Sequence, residues 1–276
     1  MKVLVCGAHG QLGRALQRPL VGHDVINSDI DTVDIADFDA ACTLVESVGP
    51  DIVINCAAYT QVDAAEDDVE NAYRANALGP RNLAVATQAH GVALLQVSTD
   101  YVFDGTKGSA YHEFDEPCPA SVYGASKLAG ERAVAALNPR HYIARTAWLY
   151  AHPGANFPST MLGLADREQV RVVDDQQGSP TYAPHLAQAL VELMQTEAFG
   201  VWHLAGSGYT SWYGLTCRLY QMMGLSTTVI PVTTDEFPRP APRPACSILN
   251  SLQSPPIILP GWESGLSEFV ENLRAS

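Results

Sequence analysis

The stretch Val-Leu-Val-Cys-Gly-Ala-His-Gly-Gln-Leu-Gly, residues 3–13, decides the fold class of this 276-residue chain. Val3 to Cys6 is a short apolar run typical of a buried β-strand, and helical spacing of apolar residues begins at Gln11. Between them, three glycines follow the pattern G-x-x-G-x-x-G. A strand, a glycine-rich turn and a helix in this order predict the first unit of a doubly wound α/β fold.

The glycine-rich turn predicts a dinucleotide-binding site. Glycines lack Cβ atoms, so the backbone can approach a pyrophosphate, and the first turn of a helix favours its negative charge. A tight turn that binds no ligand is the alternative. The turn residues assigned to the cofactor are Gly7, Gly10, Gln11, Leu12 and Gly13.

An acidic residue at the end of the second predicted strand adds to this site. Asp29 lies where a carboxylate can accept hydrogen bonds from the ribose hydroxyls of adenosine, although an ordinary solvated acid would also fit there. No Lys or Arg lies between Arg18 and Arg74 to receive a 2′-phosphate directly, but Arg14 or Arg18 on the first helix could reach one. We therefore expect NADPH or NADH, with a weak preference for NADH.

The other cofactor contacts are expected after the second and third strands. Two residues after the second strand could contact the adenine edge. Small residues follow the third strand, so a cofactor could pass close over its end. The residues assigned here are Asp34, Ile35, Ala57, Ala58 and Tyr59.

Tyr123 and Lys127, in the stretch VYGASKLAGE at residues 122–131, predict proton-transfer chemistry. The chain has 11 Tyr and only three Lys, so this spacing would seldom arise by chance. Residues four apart on a helix share a face, and a neighbouring ammonium lowers the pKa of a phenol. A half-buried Tyr beside a solvated Lys is the alternative.

Apolar runs and helical stretches alternate through the first half of the chain. Continuous apolar strands separated by helices predict a parallel sheet covered on both faces. The predicted strands are 3–6, 24–27, 51–55, 92–98 and 142–145. The predicted helices are 11–20, 36–48 with Asp34 as its cap, 69–90 and 124–137.

After about residue 150 this alternation loosens, and Pro and Gly become frequent. A strand at 201–204 and a helix at 212–223 are still predicted, whereas residues 237–244 favour an extended, proline-rich loop. The predicted fold is therefore α/β, a doubly wound parallel sheet of Rossmann type with a smaller, mixed C-terminal region. We expect a dinucleotide-binding domain at 1–150 with a returning segment near 175–206, and substrate binding at 151–174 and 207–276.

Composition limits the classes of partner. A net charge of −14 argues against nucleic acid and anionic membranes. Six Cys without a C-x-x-C motif suit a reducing compartment, and the N-terminal apolar run is too short for a signal peptide, so we expect a cytoplasmic protein. His and carboxylates form no cluster with metal-ligand spacing, so no metal ligand is assigned and metal dependence stays open.

These features together resemble the dTDP-4-dehydrorhamnose reductase family, within the extended short-chain dehydrogenases/reductases. The glycine loop and the Tyr/Lys pair are shared across that superfamily, whereas the combination of STDYVFDG with VYGASKLAGE is specific to this family. The resembling stretches span nearly the whole chain, in order: GAHGQLG, DIVINCAAYTQVDAAE, ANALGPRNLA, VSTDYVFDG, VYGASKLAGE, RTAWLY, DDQQGSPTY and the Trp-Tyr of TSWYG.

The resemblance implies reduction of the C4 ketone of a nucleotide sugar. It makes Tyr123 the proton donor, Lys127 the residue that holds the nicotinamide ribose and lowers the pKa of Tyr123, and Thr99 a hydrogen-bond donor to the carbonyl oxygen. It also implies a homodimer. The implied substrate contacts are Thr99, Asp100, Tyr123, Trp148 and Arg243.

Two departures and three alternatives accompany the resemblance. The chain is short beside many family members, and residues 250–256 lack the Lys often found there. The family motif Arg-Pro-x-Asn-Ser has Cys246 in place of Asn, which leaves the substrate contacts of that loop open. The substrate could be a related nucleotide 4-keto-6-deoxyhexose. Sugar dehydratases carry Thr-Asp-Glu, but Tyr101 follows Asp100 here, so the second acid is missing. A non-catalytic regulatory subunit, similar to the β subunit of methionine adenosyltransferase, would bind the cofactor without turnover.

Overall fold

A computed structural model describes residues 1–275 of the chain. Its strands are β1 Lys2–Cys6, β2 Asp24–Ser28, β3 Ile52–Asn55, β4 Ala93–Thr99, β5 His141–Thr146, β6 Leu149–Tyr150, β7 Gln169–Val173, β8 Gln177–Gly178, β9 Thr181–Tyr182, β10 Gly200–His203, β11 Thr210–Ser211, β12 Thr228–Val232 and β13 Cys246–Ser247. Its α-helices are α1 Gln11–Leu16, α2 Phe38–Val48, α3 Val69–Tyr73, α4 Gly79–Ala89, α5 Val122–Leu137, α6 Phe157–Leu162, α7 Ala183–Leu193, α8 Trp212–Met223 and α9 Trp262–Ala275.

The central sheet contains six parallel strands in the order β10-β5-β4-β3-β1-β2. Its central strands are apolar on both faces because helices cover both sides. Residues of α1 and α7 pack on one face in a core that includes Leu16 and Leu190. Residues of α2 and α4 pack on the other face around Val45 and Leu83. The predicted doubly wound α/β fold is confirmed.

The start of α2 differs from the sequence prediction. The helix begins at Phe38, and the carboxylate of Asp37 caps it by accepting the Ala40 N–H at 3.0 Å. The predicted cap, Asp34, instead accepts the Ala36 N–H and a hydrogen bond from Arg74. Two acids three residues apart both suit a helix start, and only the tertiary contact with Arg74 distinguishes them.

The predicted helix at 69–90 is interrupted by a π-helical turn, Arg74–Leu78, between α3 and α4. Asn76 in this turn is buried. Its amide nitrogen donates to the Tyr59 carbonyl at 3.1 Å and to Ser126 Oγ at 3.0 Å, while its oxygen accepts the Tyr59 N–H at 2.9 Å. The turn therefore connects the loop after β3 to α5.

The chain after residue 150 adds one strand to the central sheet and forms several small sheets. Strand β10 pairs with β5, while β8 pairs with β11 and β13 in a separate three-stranded sheet. Residues 237–244 have no helix or strand, as expected of an extended loop. The division of function at residue 150 stays a prediction. Among residues 1–275, no helix has the length and apolarity needed to cross a membrane.

A buried ion pair joins α5 to β5. Arg145 donates from Nε and Nη2 to the carboxylate of Glu131, with a shortest distance of 2.7 Å, and both side chains are only 4% exposed. Because a buried charge without a partner is costly, each residue depends on the other. The pair fixes α5, which carries Tyr123 and Lys127, against β5, the strand that pairs with β4.

Replacement of Arg145 by Met is expected to lower the free energy of unfolding by about 3–5 kcal/mol, since it leaves the buried Glu131 carboxylate without its hydrogen-bonded partner. The matched control is Arg171→Met, which removes an ion pair with Glu236 whose side chains are 49% and 50% exposed. That change should cost at most about 1 kcal/mol. Urea unfolding of both variants measures the difference, and equal losses would contradict the role assigned to burial.

Candidate active site

The carboxyl ends of the central strands open into a cleft of about 920 Å³. Parallel strands bring the residues that follow them to one edge of the sheet, where ligands of doubly wound folds bind. All the sequence-predicted site residues except Arg243 line this cleft: Gly7, Gly10, Gln11, Leu12, Gly13, Asp29, Asp34, Ile35, Ala57, Ala58, Tyr59, Thr99, Asp100, Tyr123, Lys127 and Trp148.

The glycine turn has a tight backbone packing that requires glycine. Gly7 has φ of 74°, and a Cβ atom there would lie 2.5 Å from the backbone nitrogen of Ala57. A Cβ on Gly13 would lie 2.3 Å from the carbonyl oxygen of Gly7. The turn therefore packs directly on the loop after β3, and this packing forms one wall of the cleft.

Two predicted cofactor residues also hold the walls of the cleft together. The carboxylate of Asp29 accepts the backbone N–H groups of His9 at 2.7 Å and Ile30 at 2.8 Å. The Gln11 side-chain oxygen accepts hydrogen bonds from the Ala151 N–H at 3.0 Å and from Asn156 at 2.9 Å. Their assignment to cofactor binding stays a prediction.

Lys127 lies at the floor of the cleft and is 5% exposed. Its Nζ donates to the Val97 carbonyl oxygen at 2.7 Å, so α5 is tied to β4 at this point. Burial lowers the pKa of Lys127 to about 8, although Glu131, one turn further along α5, raises it. The amine is therefore mainly protonated at pH 7, and it loses its charge as the pH rises through 8.

Tyr123 lies one helical turn before Lys127, as predicted, but its pKa differs from the prediction. Burial raises the pKa of Tyr123 to about 12, while the Thr99 hydroxyl lowers it and the charge of Asp100 raises it further. The expected lowering by Lys127 is not found, because the Lys127 Nζ hydrogen bond goes to Val97 and burial dominates. The phenol is therefore neutral at pH 7, the state required of a proton donor.

Thr99 and Asp100 form a short buried chain at the end of β4. The Thr99 hydroxyl donates to Asp100 Oδ1 at 2.9 Å and accepts the Tyr101 N–H at 3.2 Å. Burial raises the pKa of Asp100 to about 6, and hydrogen bonds from Ser247 and Thr99 limit the rise. These contacts place a hydroxyl and a carboxyl group beside Tyr123 in the cleft.

Two buried hydroxyl oxygens in the cleft have no hydrogen-bond partner within the protein. They belong to Ser98 on β4 and Thr146 on β5, which are 3% and 6% exposed. Buried polar atoms are nearly always satisfied. Together with the glycine turn, these hydroxyls fit a cleft that accepts the polar groups of a nicotinamide dinucleotide or a sugar.

Arg243 lies outside the cleft lining and pairs with Asp63 at 2.8 Å. It interacts electrostatically with Tyr101, which does line the cleft, so it remains close to the site. The sequence reveals its charge but not its partner, because Asp63 is far away along the chain. Cys246, three residues later, directs its Sγ toward the Ser109 carbonyl at 3.5 Å. Arg243 as a substrate contact stays a prediction.

Comparison of this chain with known proteins identifies its family. The RmlD substrate binding domain matches residues 1–275. The chain belongs to the RmlD substrate binding domain family. It is 38% identical to the dTDP-4-dehydrorhamnose reductase of Aggregatibacter actinomycetemcomitans, over 99% of this chain and 98% of that protein. The resemblance inferred from the sequence motifs is confirmed.

Solved structures of family members have the same fold. The dTDP-4-dehydrorhamnose reductase of Clostridium acetobutylicum ATCC 824 matches with a TM-score of 0.97 and 41% identity, over 99% of this chain and 100% of that one. The corresponding protein of Bacillus anthracis str. Ames, solved in complex with NADP, has a TM-score of 0.96 and 40% identity, over 98% of this chain and 99% of that one.

Sequence reasoning missed several residues that build the site in this RmlD-family chain. Asn76 orients the loop at Tyr59, and the Glu131–Arg145 pair lies behind Lys127. Trp212 lines the cleft beside Trp148. A polar residue inside a helical pattern was a usable signal for Asn76, whereas the partners of the others are distant in sequence.

One group of side chains has the spacing of metal ligands. Potential ligand atoms of His9, Asp29 and Asp31 lie within 4.8 Å of one another. Exposed acids are common without an ion, and Asp29 already accepts two backbone N–H groups. We assign no metal site here.

Replacement of Asp100 by Asn is expected to change the pH dependence of stability. The folded-state pKa of Asp100, about 6, lies above its ordinary value of 3.8. Folding therefore favours the protonated form, and wild-type stability falls as the pH rises between these values. Asn removes this loss, so the unfolding free energy of the variant relative to wild type should rise by on the order of 2 kcal/mol from pH 4 to pH 7.

Urea unfolding across this pH range measures the change. Asp104→Asn is the control with the opposite sign, since hydrogen bonds donated by the Thr106 N–H and hydroxyl lower the pKa of Asp104. The Asp104→Asn variant should lose stability relative to wild type as the pH rises. A pH-independent difference between Asp100→Asn and wild type would contradict the raised pKa.

Proposed function

We propose that this protein reduces the C4 ketone of dTDP-4-dehydro-L-rhamnose to dTDP-L-rhamnose, with NADPH or NADH as the reductant. The observation that carries the proposal is the meeting of Thr99, Tyr123 and Lys127 with the glycine turn in one cleft. The family relationship supports the same reaction, because relatives at 38–44% identity are named dTDP-4-dehydrorhamnose reductases.

Different residues of the cleft would bind different parts of the reductant. The turn at Gly7, Gly10 and Gly13 would hold the pyrophosphate, Asp29 the adenosine ribose, and Lys127 the nicotinamide ribose. When bound, the dinucleotide supplies a hydride to the carbonyl carbon. Both Asp29 carboxylate oxygens accept backbone N–H groups, and each keeps a lone pair that can accept a ribose hydroxyl.

Tyr123 and Thr99 interact with the carbonyl oxygen of the substrate. As negative charge develops there, the neutral Tyr123 phenol donates its proton and becomes a phenolate. The single Thr99 hydroxyl hydrogen, which is donated to Asp100 Oδ1 in the structure, would turn to the substrate oxygen and stabilise it by a hydrogen bond. The phenolate then regains a proton before the next turnover. Electrons and protons balance: one hydride and one proton convert the ketone to an alcohol.

A dehydratase is disfavoured by the residue beside Asp100. Elimination of water needs a second acid or base near the sugar, and Tyr101 occupies that position. Its ring packs edge-on against Tyr123, with the centroids 5.5 Å apart, so it fills the space with an aromatic group. This favours a simple reduction.

A cytoplasmic location and a homodimer are part of the proposal. All six cysteines are free thiols, which suits a reducing compartment. Apolar side chains of Val69, Tyr73 and Leu78 are 44%, 39% and 42% exposed, and exposed apolar area near one another in the chain supports association. Sedimentation equilibrium that reports a monomer at all concentrations would exclude the dimer.

The reaction is tested by mixing purified protein with dTDP-4-dehydro-L-rhamnose and NADPH or NADH, and following the absorbance of the reduced nicotinamide. Oxidation that depends on the sugar is expected with at least one dinucleotide. Turnover only with another nucleotide 4-keto-6-deoxyhexose would redirect the substrate assignment. Dinucleotide binding without oxidation of any such sugar would favour the non-catalytic regulatory subunit.

Replacement of Tyr123 by Phe should lower kcat at least about 100-fold, because general acid catalysis typically contributes that much. The phenyl ring preserves packing, so the dissociation constant for NADPH should stay within about twofold of wild type. Nucleotide-sugar turnover and NADPH fluorescence titration measure the two quantities. Full activity in the variant would show that another group donates the proton.

A further inference from the structure

Trp148 has an unusual backbone conformation at the edge of the cleft. Its φ is 47°, and it is the one non-glycine residue with positive φ among residues 1–275. A bulky side chain is disfavoured in this region, and such strain persists only where surrounding contacts hold it. The contacts of the Trp148 side chain therefore indicate why this backbone conformation is retained.

The indole of Trp148 is stacked face to face on that of Trp212. The ring centroids are 3.4 Å apart and the planes differ by 7°. Trp212 is itself held in place: its Nε1 donates to Gln176 Oε1 at 3.2 Å, and the ring of Phe157 packs on it with a centroid distance of 4.4 Å. The support for Trp148 thus comes from the first residue of α8.

Gly178 provides the space that the Trp148 indole occupies. A Cβ atom at position 178 would lie 2.4 Å from Trp148 Cε2 and 2.6 Å from Nε1. The backbone of Gly178 has little freedom to move away, because β8 pairs with Thr210 of β11 and Ser247 of β13. Any side chain here would therefore displace the indole.

The stack lies beside the reacting groups. Trp148 follows β5 by two residues, and Thr146 at the end of β5 pairs in register with Thr99 on β4. Both indoles line the cleft that contains Tyr123 and Lys127. The stack thus joins the end of β5 in the central sheet to the first residue of α8.

We propose that Trp212 and Gly178 are positioning residues that fix the Trp148 indole against the sugar of the substrate; this rests on the proposed reduction of a nucleotide sugar. Trp212 supports the ring by stacking and Gly178 leaves room for it. The strained backbone at Trp148 is retained because it directs the indole into this slot. The two residues act on sugar binding through Trp148 and leave the dinucleotide site unchanged.

The test compares KM for dTDP-4-dehydro-L-rhamnose, kcat and the NADPH dissociation constant across five variants. Trp212→Leu should raise KM about threefold to tenfold, the range that loss of an aromatic pair implies. Gly178→Ala should raise it about tenfold or more. Trp212→Phe should restore most of the loss, since it keeps an aromatic ring. NADPH binding should stay within about twofold throughout.

Two control variants test whether a change in KM is specific to the Trp148–Trp212 stack. Gly163→Ala adds a methyl group where the nearest atom is 3.4 Å away, and Trp262→Phe removes an indole outside the cleft lining. Both should leave KM unchanged. Circular dichroism provides a readout without substrate: coupled transitions of the stacked indoles should be lost in Trp212→Leu and Gly178→Ala and kept in both controls.

A double-mutant cycle decides whether Trp212 acts through Trp148. In a Trp148→Leu background, Trp212→Leu should change KM by less than about twofold, because the ring it positions is already absent. Additive effects, an unchanged KM in the single variant, or equal loss of NADPH binding would overturn the positioning role. An inactive wild-type protein would instead refute the proposed reaction, and the inference with it, whereas an active wild type with unaffected variants would refute the inference alone.

Discussion

The burial of the Lys127 ammonium is the constraint on which the site depends. A cation that is 5% exposed loses most of its hydration, so the fold must supply partners for it. The Val97 carbonyl on β4 accepts one of its hydrogens, and Glu131 on the next turn of α5 contributes negative charge. Glu131 is in turn balanced by Arg145 on β5. One buried charge thus fixes a helix against two adjacent strands.

This arrangement sets the protonation states needed for reduction. Burial keeps the Tyr123 phenol neutral with a pKa of about 12, and leaves Lys127 charged at neutral pH with a pKa of about 8. A donor that holds its proton in the resting state suits delivery of that proton to a developing alkoxide. At neutral pH one buried group is therefore uncharged and the other is positively charged.

Features of the fold that depend on short stretches of sequence were predicted correctly. The glycine turn, the apolar strands and the spacing of Tyr123 and Lys127 are short-range signals, and the structure contains them as expected. The helix cap at Asp37 rather than Asp34, and the Arg243–Asp63 ion pair, depend on partners that only tertiary folding brings together. The lowering of the Tyr123 pKa failed as an expectation because sequence shows a neighbouring cation but not the extent of burial.

The π-helical turn at Arg74–Leu78 has a consequence for how the chain can vary in length. Each residue of an α-helix advances the side-chain direction by about 100°, so loss of a single residue here would rotate α3 by that angle relative to α4. The Asn76 amide would then turn away from Tyr59 and Ser126. A change of one residue in this stretch would therefore break the hydrogen bonds of Asn76. Length changes belong in the surface loops, where the backbone has no helical phase to preserve.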